Sequence, residues 1–342
     1  MIDLSPWTPA VPDAVVARIG SARRVLAVGH ENPDADTIGS TLAIRRLVTA
    51  CGGMATPVFG DPIPPLYAFV PDIEAARTDP DPGVDYDLLV VSDCAGIDRI
   101  GAVAGRHPEL FAALPRVVLD HHASNGETGP ADWVDPAAAA TCEMTTLLAA
   151  RLGVPLDDGG GALAAQLMAG VVMDTATFAH PNATPRTLAV SAALVEAGAP
   201  LSDISRRLYR SKPEAQLRLF GVVLGRLETA ANGRIVHSSL FDADLAATGA
   251  IPAHSEGIID LLAQADEADV AIVFKDQGGT ATRISVRTKP GGVDATVLTG
   301  AFGGGGHARA AGATIGMPVV EARVPVIAEA ERLVAALGSR DR

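Results

Sequence analysis

Short apolar segments alternate with longer segments of helical periodicity through the first half of the sequence. Residues 25–29, 88–92 and 117–119 are rich in valine and leucine and are bounded by polar residues or glycine, as buried parallel strands are. In residues 37–50, between the first two of these segments, apolar side chains recur at helical spacing. The alternation predicts an α/β fold in which crossover helices flank a parallel sheet.

Further along the chain, strands and helices no longer alternate: helical patterns come first and strand patterns follow. Helices are predicted at residues 141–151 and 160–173, and a mostly helical pattern continues over residues 186–229. Strand patterns then follow at residues 234–240, 270–275 and 282–288.

The length supports a division into two domains. A chain of 342 residues is about twice as long as a typical domain. We expect a larger N-terminal α/β domain at residues 1–190, a helical connector at 191–222 and a smaller C-terminal α/β domain at 223–342.

The charge balance excludes some partners. The chain has 27 Lys and Arg against 40 Asp and Glu, a net charge of −13. Such a surface repels phosphate backbones, so we expect no tight binding to long duplex DNA.

Three widely spaced cysteines indicate reduced thiols. The first residues do not resemble a signal peptide, and the longest apolar stretch is too short to span a bilayer. We expect a cytoplasmic protein without a membrane partner.

Carboxylates and histidines directly follow four of the apolar segments. They are His30, Asp34, Asp36, Asp93, Asp120, His121, His122 and Asp174. We expect them at one edge of the sheet, where open α/β folds keep their sites. For residues 30–40 alone, a solvated acidic loop with a helix N-cap is the alternative. Four such coincidences favour a functional site, because buried carboxylates without a counter-charge are costly.

These side chains suit divalent metal ions. Imidazole and carboxylate groups are good ligands for Mn²⁺, Mg²⁺ or Zn²⁺. Asp34, Asp36, Asp93 and Asp174 supply about four negative charges, which two such ions would balance. With a shared aspartate, two ions would hold a water whose pKa falls toward neutrality, and this water would be the nucleophile.

A glycine run lies in a cationic part of the acidic chain. Residues 280–310 contain Arg283, Arg287, Lys289 and Arg309 against the single Asp294. Glycine amides can cradle a phosphate, and a helix at residues 308–313 would add a favourable dipole. A flexible linker is the alternative for the glycines. The expected ligands of a terminal phosphate or nucleotide are Arg287, Gly303, Gly304, Gly305, Gly306 and His307.

Together these motifs resemble those of the DHH phosphoesterase superfamily. The resemblance rests on His30-x-Asn-Pro-Asp34-x-Asp36, Asp93, Asp120-His121-His122 and Asp174. Residues 299–312 resemble the glycine-rich motif of the DHH-associated domain. Length and connector are most similar to the nanoRNase and pAp-phosphatase branch, which includes cyclic-dinucleotide phosphodiesterases. Where the family often has Thr-Gly after the last aspartate, this chain has Thr175-Ala176.

The resemblance implies a homodimeric hydrolase with two Mn²⁺ ions, or Mg²⁺ or Co²⁺, in a cleft between its domains. The implied ligands are His30, Asp34 and Asp93 for one ion, and Asp36, Asp93, His121 and Asp174 for the other. His122 would face the scissile phosphate or the leaving oxygen as a catalytic group. Asp120 would either act directly or orient an imidazole.

We therefore predict a phosphodiesterase and phosphatase that releases nucleoside monophosphates. The expected substrates are short oligoribonucleotides, linear and cyclic dinucleotides such as pApA and cyclic di-AMP, and 3′-phosphoadenosine 5′-phosphate. With eight Phe, three Tyr and two Trp, the chain has few platforms for stacking a long single strand. The alternatives are a manganese-dependent inorganic pyrophosphatase or exopolyphosphatase, and a nucleotide-binding regulator without catalytic activity.

Overall fold

The computed structural model describes residues 2–94, 96–122, 125, 129–158 and 160–338. The chain divides into two compact units, Met1–Ser211 and Lys212–Arg342. The division lies inside the predicted connector, residues 191–222. Each unit is described by itself.

The first unit contains a five-stranded parallel sheet. Its strands are β1 (Arg24–Val28), β2 (Met54–Val58), β3 (Leu88–Ser92), β4 (Arg116–Asp120) and β5 (Trp133–Val134). Their order is β2-β1-β3-β4-β5, with Val25 opposite Leu88 and Leu89 opposite Arg116. The chain leaves β1 to one side for β2 and then returns to the other side for β3. The loops after β1 and β3 therefore diverge, which creates the crevice where such sheets bind ligands.

Eight α-helices surround this sheet in the described part of the first unit. They are α1 (Asp13–Ser21), α2 (Ala35–Ala50), α3 (Ala102–Arg106), α4 (Pro108–Ala113), α5 (Thr141–Leu152), α6 (Ala162–Asp174), α7 (Pro185–Glu196) and α8 (Leu201–Tyr209). Val25 and Ala27 pack into a core with α1, α2, α5 and α6. Leu26 and Val28 pack into a second core with α3 and α4. Both faces are covered, which explains the continuous apolar strands and confirms the predicted α/β fold.

Two glycines let α2, α5 and α6 approach closely. A Cβ built on Gly39 of α2 would lie 2.9 Å from the Cys142 sulfur and would overlap the Gln166 carbonyl oxygen. A Cβ on Gly170 of α6 would overlap the Asp36 carboxylate. The contact brings together the start of α2, the start of α5 and the end of α6, beside the carboxyl ends of β1 and β3.

The second unit contains a mixed six-stranded sheet. Its strands are β6 (Glu228–Ala230), β7 (Ile235–Leu240), β8 (Val270–Gln277), β9 (Ala281–Thr288), β10 (Gly305–His307) and β11 (Ala310–Ile315). The order is β10-β11-β9-β8-β7-β6; β7 and β8 are parallel, and the other neighbouring strands are antiparallel. The helices are α9 (Glu214–Leu224), α10 (Asp242–Thr248), α11 (Ile258–Leu262), α12 (Ala295–Gly300) and α13 (Val319–Ala336). Ile235 and Ile272 pack with α12 and α13, whereas Val236 and Val273 pack with α9 and α11.

One local prediction is wrong. Residues 308–313 do not form a helix, because β11 pairs with β9 and alternates buried Ala311, Ala313 and Ile315 with more exposed neighbours. The helix predicted at residues 160–173 is confirmed as α6, and Asp174 is its last residue.

Within the described residues, no single helix has the length and apolar character to cross a bilayer; α7 and α8 meet those criteria only as a pair bent by 113°.

Candidate metal centre

The structure brings together seven of the predicted side chains at the carboxyl edge of the first sheet. They form three groups in which the ligand atoms lie within 4.8 Å of one another. The groups are His30–Asp34–Asp93, Asp36–His121–Asp174 and Asp93–His121–His122. Asp93 and His121 each belong to two groups, so the three groups form one centre.

Asp93 lies in the middle of this centre. It follows β3 and is 2% exposed, and its backbone has a φ of +55°. Its Oδ2 is 3.5 Å from His30 Nε2, and its Oδ1 is 3.5 Å from His121 Nε2. The hydroxyls of Thr37 and Thr141 donate to these two oxygens at 2.6 and 3.2 Å. The carboxylate therefore faces histidines on both sides.

The loop after β1 places the next two carboxylates. Asp34 is the N-cap of α2, where its Oδ1 accepts hydrogen bonds from the amides of Asp36 and Thr37 at 2.9 and 3.1 Å. Asp36 is buried in the first turn of α2 and points at the start of α5. Its carboxylate accepts the amides of Thr141 and Cys142 at 2.7 and 2.8 Å. Asp34 thus caps a helix, as the alternative interpretation proposed, yet still belongs to the cluster.

His121 presents one nitrogen to three carboxylates. Its Nε2 is 3.1 Å from Asp174, 3.5 Å from Asp93 and 3.9 Å from Asp36. Its Nδ1 lies 3.4 Å from the Ala138 carbonyl oxygen. A proton on Nδ1 would be donated to that carbonyl, which leaves the Nε2 lone pair for a cation.

Asp120 and His122 form a pair next to the cluster. Asp120 is fully buried, and its Oδ1 accepts the His122 Nδ1 at 2.7 Å and the His122 amide at 3.2 Å. Its Oδ2 accepts the side-chain amide of Asn125 at 3.0 Å. Of the two roles left open for Asp120, the contacts are those of a group that orients an imidazole.

Crowding of carboxylates shifts the pKa values. Burial and the charge of Asp93 raise the pKa of Asp34, and burial with the charges of Asp93 and Asp174 raises that of Asp36 well above its usual value. Burial, with the nearby Asp93 and Asp34 charges, raises the pKa of Asp174 to about 6. Burial also opposes ionisation of Asp93, but hydrogen bonds from His30 and Thr37 lower its pKa to about 2.

The pKa values of two histidines in the cluster are raised as well. Burial disfavours the charged form of His121, but its hydrogen bond to Asp174 and the surrounding carboxylates raise its pKa to about 10. The pKa of His122 is raised by its hydrogen bond to Asp120. Raised pKa values show that the clustered carboxylates lack nearby positive charge to balance them. Divalent cations would supply that charge, so the donor set fits such ions.

Several contributing groups had no strong signal in the sequence. Thr37, Thr141 and the Ala138 carbonyl contact the predicted ligands only through the tertiary fold.

Cys94, beside Asp93, is buried and donates to the Gly96 carbonyl at 2.9 Å, and burial raises its pKa to about 11. It is therefore a packing residue rather than a nucleophile.

The segment after Asp174 has an unusual backbone. Ala176, Thr177 and Phe178 have φ values of +47°, +58° and +64°, in the left-handed region that favours glycine. Hydrogen bonds hold this turn: the Phe178 amide donates to the Thr175 hydroxyl at 3.0 Å, and Thr177 is bonded to Ser205 at 3.0 Å. His180 lies at its end, with Nδ1 3.2 Å from the Asp174 carbonyl. Backbone strain is therefore stored next to a predicted ligand.

Ala176→Gly should stabilise the protein. Glycine removes the left-handed penalty but loses more chain entropy on folding, so we expect the free energy of unfolding to rise by about 0.5–1 kcal/mol. Chemical denaturation measures this change. The matched control is Ala192→Gly on the exposed side of α7, which should lower it by about 0.5–1 kcal/mol. A loss of stability in both variants would contradict the strain at Ala176.

The predicted phosphate ligands lie in the second unit. Ala310 of β11 is paired with Arg287 of β9 on one side and with His307 of β10 on the other. Directly paired residues share a sheet face, so Arg287 and His307 flank the small Ala310 across about 10 Å. Arg287 Nε also donates to Asp260 Oδ1 at 2.9 Å. The two side chains form an ion pair at the surface.

The glycine run forms the approach to β10. The amides of Gly303 and Gly304 already donate to the carbonyls of Gly300 and Thr299, at 3.1 and 2.9 Å. Gly305 and Gly306 lie on β10, which is an edge strand of the sheet. In such a strand every second backbone amide faces away from the sheet and can bind a ligand. A Cβ on Gly306 would lie 2.6 Å from the Ala310 carbonyl oxygen, so only glycine fits there.

The fold and the site together define a parallel α/β protein whose switch point carries a cluster of acidic and histidine side chains that could hold metal ions. The sequence profile of the DHH family, N-terminal domain, matches residues 24–172, and that of the DHHA1 domain matches residues 232–335. The chain is 33% identical over 290 residues to the bifunctional oligoribonuclease and PAP phosphatase NrnA of Thermus thermophilus, which covers 84% of this chain and 82% of the relative. The chain belongs to the DHH family.

Two further comparisons agree with this assignment. The bifunctional oligoribonuclease and PAP phosphatase NrnA of Bacillus subtilis is 26% identical over 294 residues, 84% of this chain and 87% of the relative. The crystal structure of an exopolyphosphatase-related protein from Bacteroides fragilis has a TM-score of 0.79 at 19% identity and covers 97% of both chains. This last likeness shows a shared two-unit fold.

Proposed function

We propose that this chain is a metal-dependent phosphoesterase that hydrolyses short oligoribonucleotides, linear dinucleotides such as pApA and 3′-phosphoadenosine 5′-phosphate to nucleoside monophosphates. The observation that carries the proposal is the convergence of histidines and carboxylates around Asp93 in a member of the DHH family. Relatives named oligoribonuclease and PAP phosphatase support the substrate class. The predicted homodimer stays a prediction.

The proposed ligands fall into two sets that share Asp93. His30, Asp34 and Asp93 would hold one divalent ion, and the second set is Asp36, Asp93, His121 and Asp174. Mn²⁺ is the proposed ion, with Mg²⁺ or Co²⁺ as alternatives that this donor set also suits. Ions bound there supply the charge that activates a water and neutralises a phosphate.

His122 is the proposed proton donor to the leaving oxygen. Asp120 holds its Nδ1 at 2.7 Å, and this contact raises the pKa of His122. A raised pKa favours the protonated imidazole, the form in which His122 could donate a proton. Asp120 would therefore orient the ring and stabilise its charged form.

Arg287 and His307 are the proposed ligands of the substrate's terminal phosphate. They stand on one face of three adjacent strands, separated by a side chain no larger than a methyl group. A phosphate between them would meet two groups able to carry positive charge, and whichever of the Gly305 and Gly306 amides faces away from β11 would add one backbone donor.

Arg287→Ala should raise KM for nucleotides about 10-fold or more with little change in kcat, because a lost charged hydrogen bond costs roughly 1.5–3 kcal/mol. Steady-state kinetics on pApA measures both constants. The matched control is Asp260→Ala, which removes the other half of the ion pair. Equal KM values in the two variants would show that Arg287 serves only that surface pair.

Mn²⁺ affinity should rise with pH. Below pH 6, Asp174 and His121 both hold protons that a cation must displace, whereas above pH 6 Asp174 is ionised and His121 still holds its proton. The binding constant should therefore increase throughout the range from pH 5 to 8, and more steeply below pH 6 than above it. Calorimetry in buffers of different ionisation enthalpy measures the protons released, and an affinity independent of pH from 5 to 8 would contradict the assignment.

A substrate panel tests the function. Purified protein with Mn²⁺ is assayed on pApA, cyclic di-AMP, 3′-phosphoadenosine 5′-phosphate, a five-nucleotide RNA and pyrophosphate. We expect the largest kcat/KM on the short linear nucleotides. A preference for pyrophosphate by orders of magnitude would support a pyrophosphatase instead. Nucleotide binding without turnover of any substrate would support a regulator.

A further inference from the structure

An arginine outside the proposed ligand set contacts two carboxylates beneath the metal centre. Arg186, in the first turn of α7, donates through Nε to Glu143 of α5 at 2.5 Å and through Nη1 to Asp135 at 2.8 Å. The Arg186 and Asp135 side chains are 14% and 18% exposed, and Glu143 is fully buried. One guanidinium therefore joins both ends of residues 135–143.

That segment touches the proposed ligands in several places. The Ala138 carbonyl faces His121 Nδ1 at 3.4 Å. The amides of Thr141 and Cys142 hold the Asp36 carboxylate, and the Thr141 hydroxyl donates to Asp93. These contacts orient a histidine and two aspartates from one short stretch of chain.

Much of the segment precedes α5 and has no regular ladder of its own. Its conformation depends on the two carboxylates: Asp135 Oδ1 accepts the Ala137 amide at 3.0 Å, and Glu143 Oε2 accepts the Ala139 amide at 3.4 Å. Asp135 also donates its own amide to the Asp120 carbonyl at 2.9 Å. A shift of either carboxylate would move the backbone groups that hold the ligands.

We propose that Arg186 is a positioning residue of the metal centre, which acts through Asp135 and Glu143 on the backbone of residues 135–142. The inference rests on the proposed function, because it assumes that the cluster binds metal. Arg186 sets the position of the Ala138 carbonyl and of the two amides at the start of α5, and so the geometry of His121 and Asp36. Partners of this kind are commonly worth 10–100-fold in metal affinity.

A single substitution would mix this effect with folding. Arg186→Met leaves Glu143 buried without a counter-charge, which is strongly destabilising by itself. Replacing Arg186 and Glu143 together by apolar residues of similar volume removes that penalty, and the remaining carboxylate, Asp135, is 18% exposed and so keeps contact with water. The informative variant is therefore the double substitution Arg186→Met with Glu143→Met, measured beside Arg186→Met and Arg186→Lys.

The experiment measures Mn²⁺ affinity by calorimetry and the urea midpoint of the metal-free protein. We expect the double variant to have a higher midpoint than Arg186→Met but to bind Mn²⁺ about 10–100-fold more weakly than the wild type. Arg186→Lys, which keeps the charge but not the two-pronged contact, should retain part of the affinity.

Arg46 provides a matched control. It also joins two carboxylates, Asp72 and Asp158, with a half-buried guanidinium. It lies ten residues after Asp36 on α2, about 15 Å away along the helix. Arg46→Met should lower the urea midpoint without a change in Mn²⁺ affinity.

The outcomes separate the two claims. A stable double variant with the Mn²⁺ affinity of the wild type would overturn the role of Arg186 and leave the metal centre standing. The same would follow if Arg46→Met lost as much affinity as the Arg186 variants. A wild-type protein that binds no Mn²⁺ would overturn the proposed function first.

Discussion

Asp93→Asn should lower kcat/KM with Mn²⁺ by about 1,000-fold or more, since the charge stabilisation at stake is several kcal/mol. Both oxygens of Asp93 lie 3.5 Å from a histidine nitrogen, on opposite sides of the carboxylate. Asparagine keeps the shape and one acceptor for a threonine hydroxyl, but it removes the charge that both proposed ions share. The loss should therefore appear mainly in kcat and in metal affinity.

The measurement compares steady-state kinetics and Mn²⁺ stoichiometry of the variant with those of the wild type. Asp85→Asn is the control, because it is the same substitution in the same unit at a side chain that is 88% exposed. It should leave kcat/KM within about twofold, as isolated surface ion pairs contribute little. Activity of Asp93→Asn near that of the control would refute the shared ligand.

Gly170→Ala should disrupt both the fold and the site. The new Cβ would overlap the Asp36 carboxylate and would lie 2.8 Å from its Cα, so α2 and α6 must move apart. Overpacking of this kind lowers the free energy of unfolding by about 1–3 kcal/mol. Displacement of Asp36 should reduce Mn²⁺ affinity about 10–100-fold as well.

Gly221→Ala is the corresponding control in a helix without such a contact. A Cβ at this position of α9 would meet no atom of the described residues within 4 Å, and replacing a helical glycine by alanine should stabilise the protein by about 0.5–1 kcal/mol. Thermal or urea unfolding measures the stability of both variants, and calorimetry measures their Mn²⁺ affinity. Equal stability and equal metal affinity for Gly170→Ala and the wild type would show that the helices tolerate a wider spacing.

Much of the fold could be predicted because buried parallel strands leave a clear pattern. β1, β3 and β4 are covered on both faces, so their sequences are continuous apolar runs. β2 was missed since it is an edge strand that contains Pro57, a residue that a central strand would exclude. β11 was misread because its alanines suit a helix, whereas pairing with β9 holds them in a strand.

The candidate site could be predicted where its side chains directly follow the end of a strand. His30, Asp34, Asp93 and His121 come after β1, β3 and β4, and the topology places them side by side. Their supporting groups could not be predicted in the same way. Thr141, the Ala138 carbonyl and Arg186 reach the site only through the packing of α5 and α7, and local sequence carries no record of that packing.

The anomalous scattering of a crystal soaked in Mn²⁺ tests directly whether the cluster holds two ions. We expect two peaks, one among His30, Asp34 and Asp93 and the other among Asp36, His121 and Asp174, with Asp93 between them. Peaks confined to other surfaces, or no bound manganese at saturating concentration with all six side chains ordered, would contradict the proposed centre.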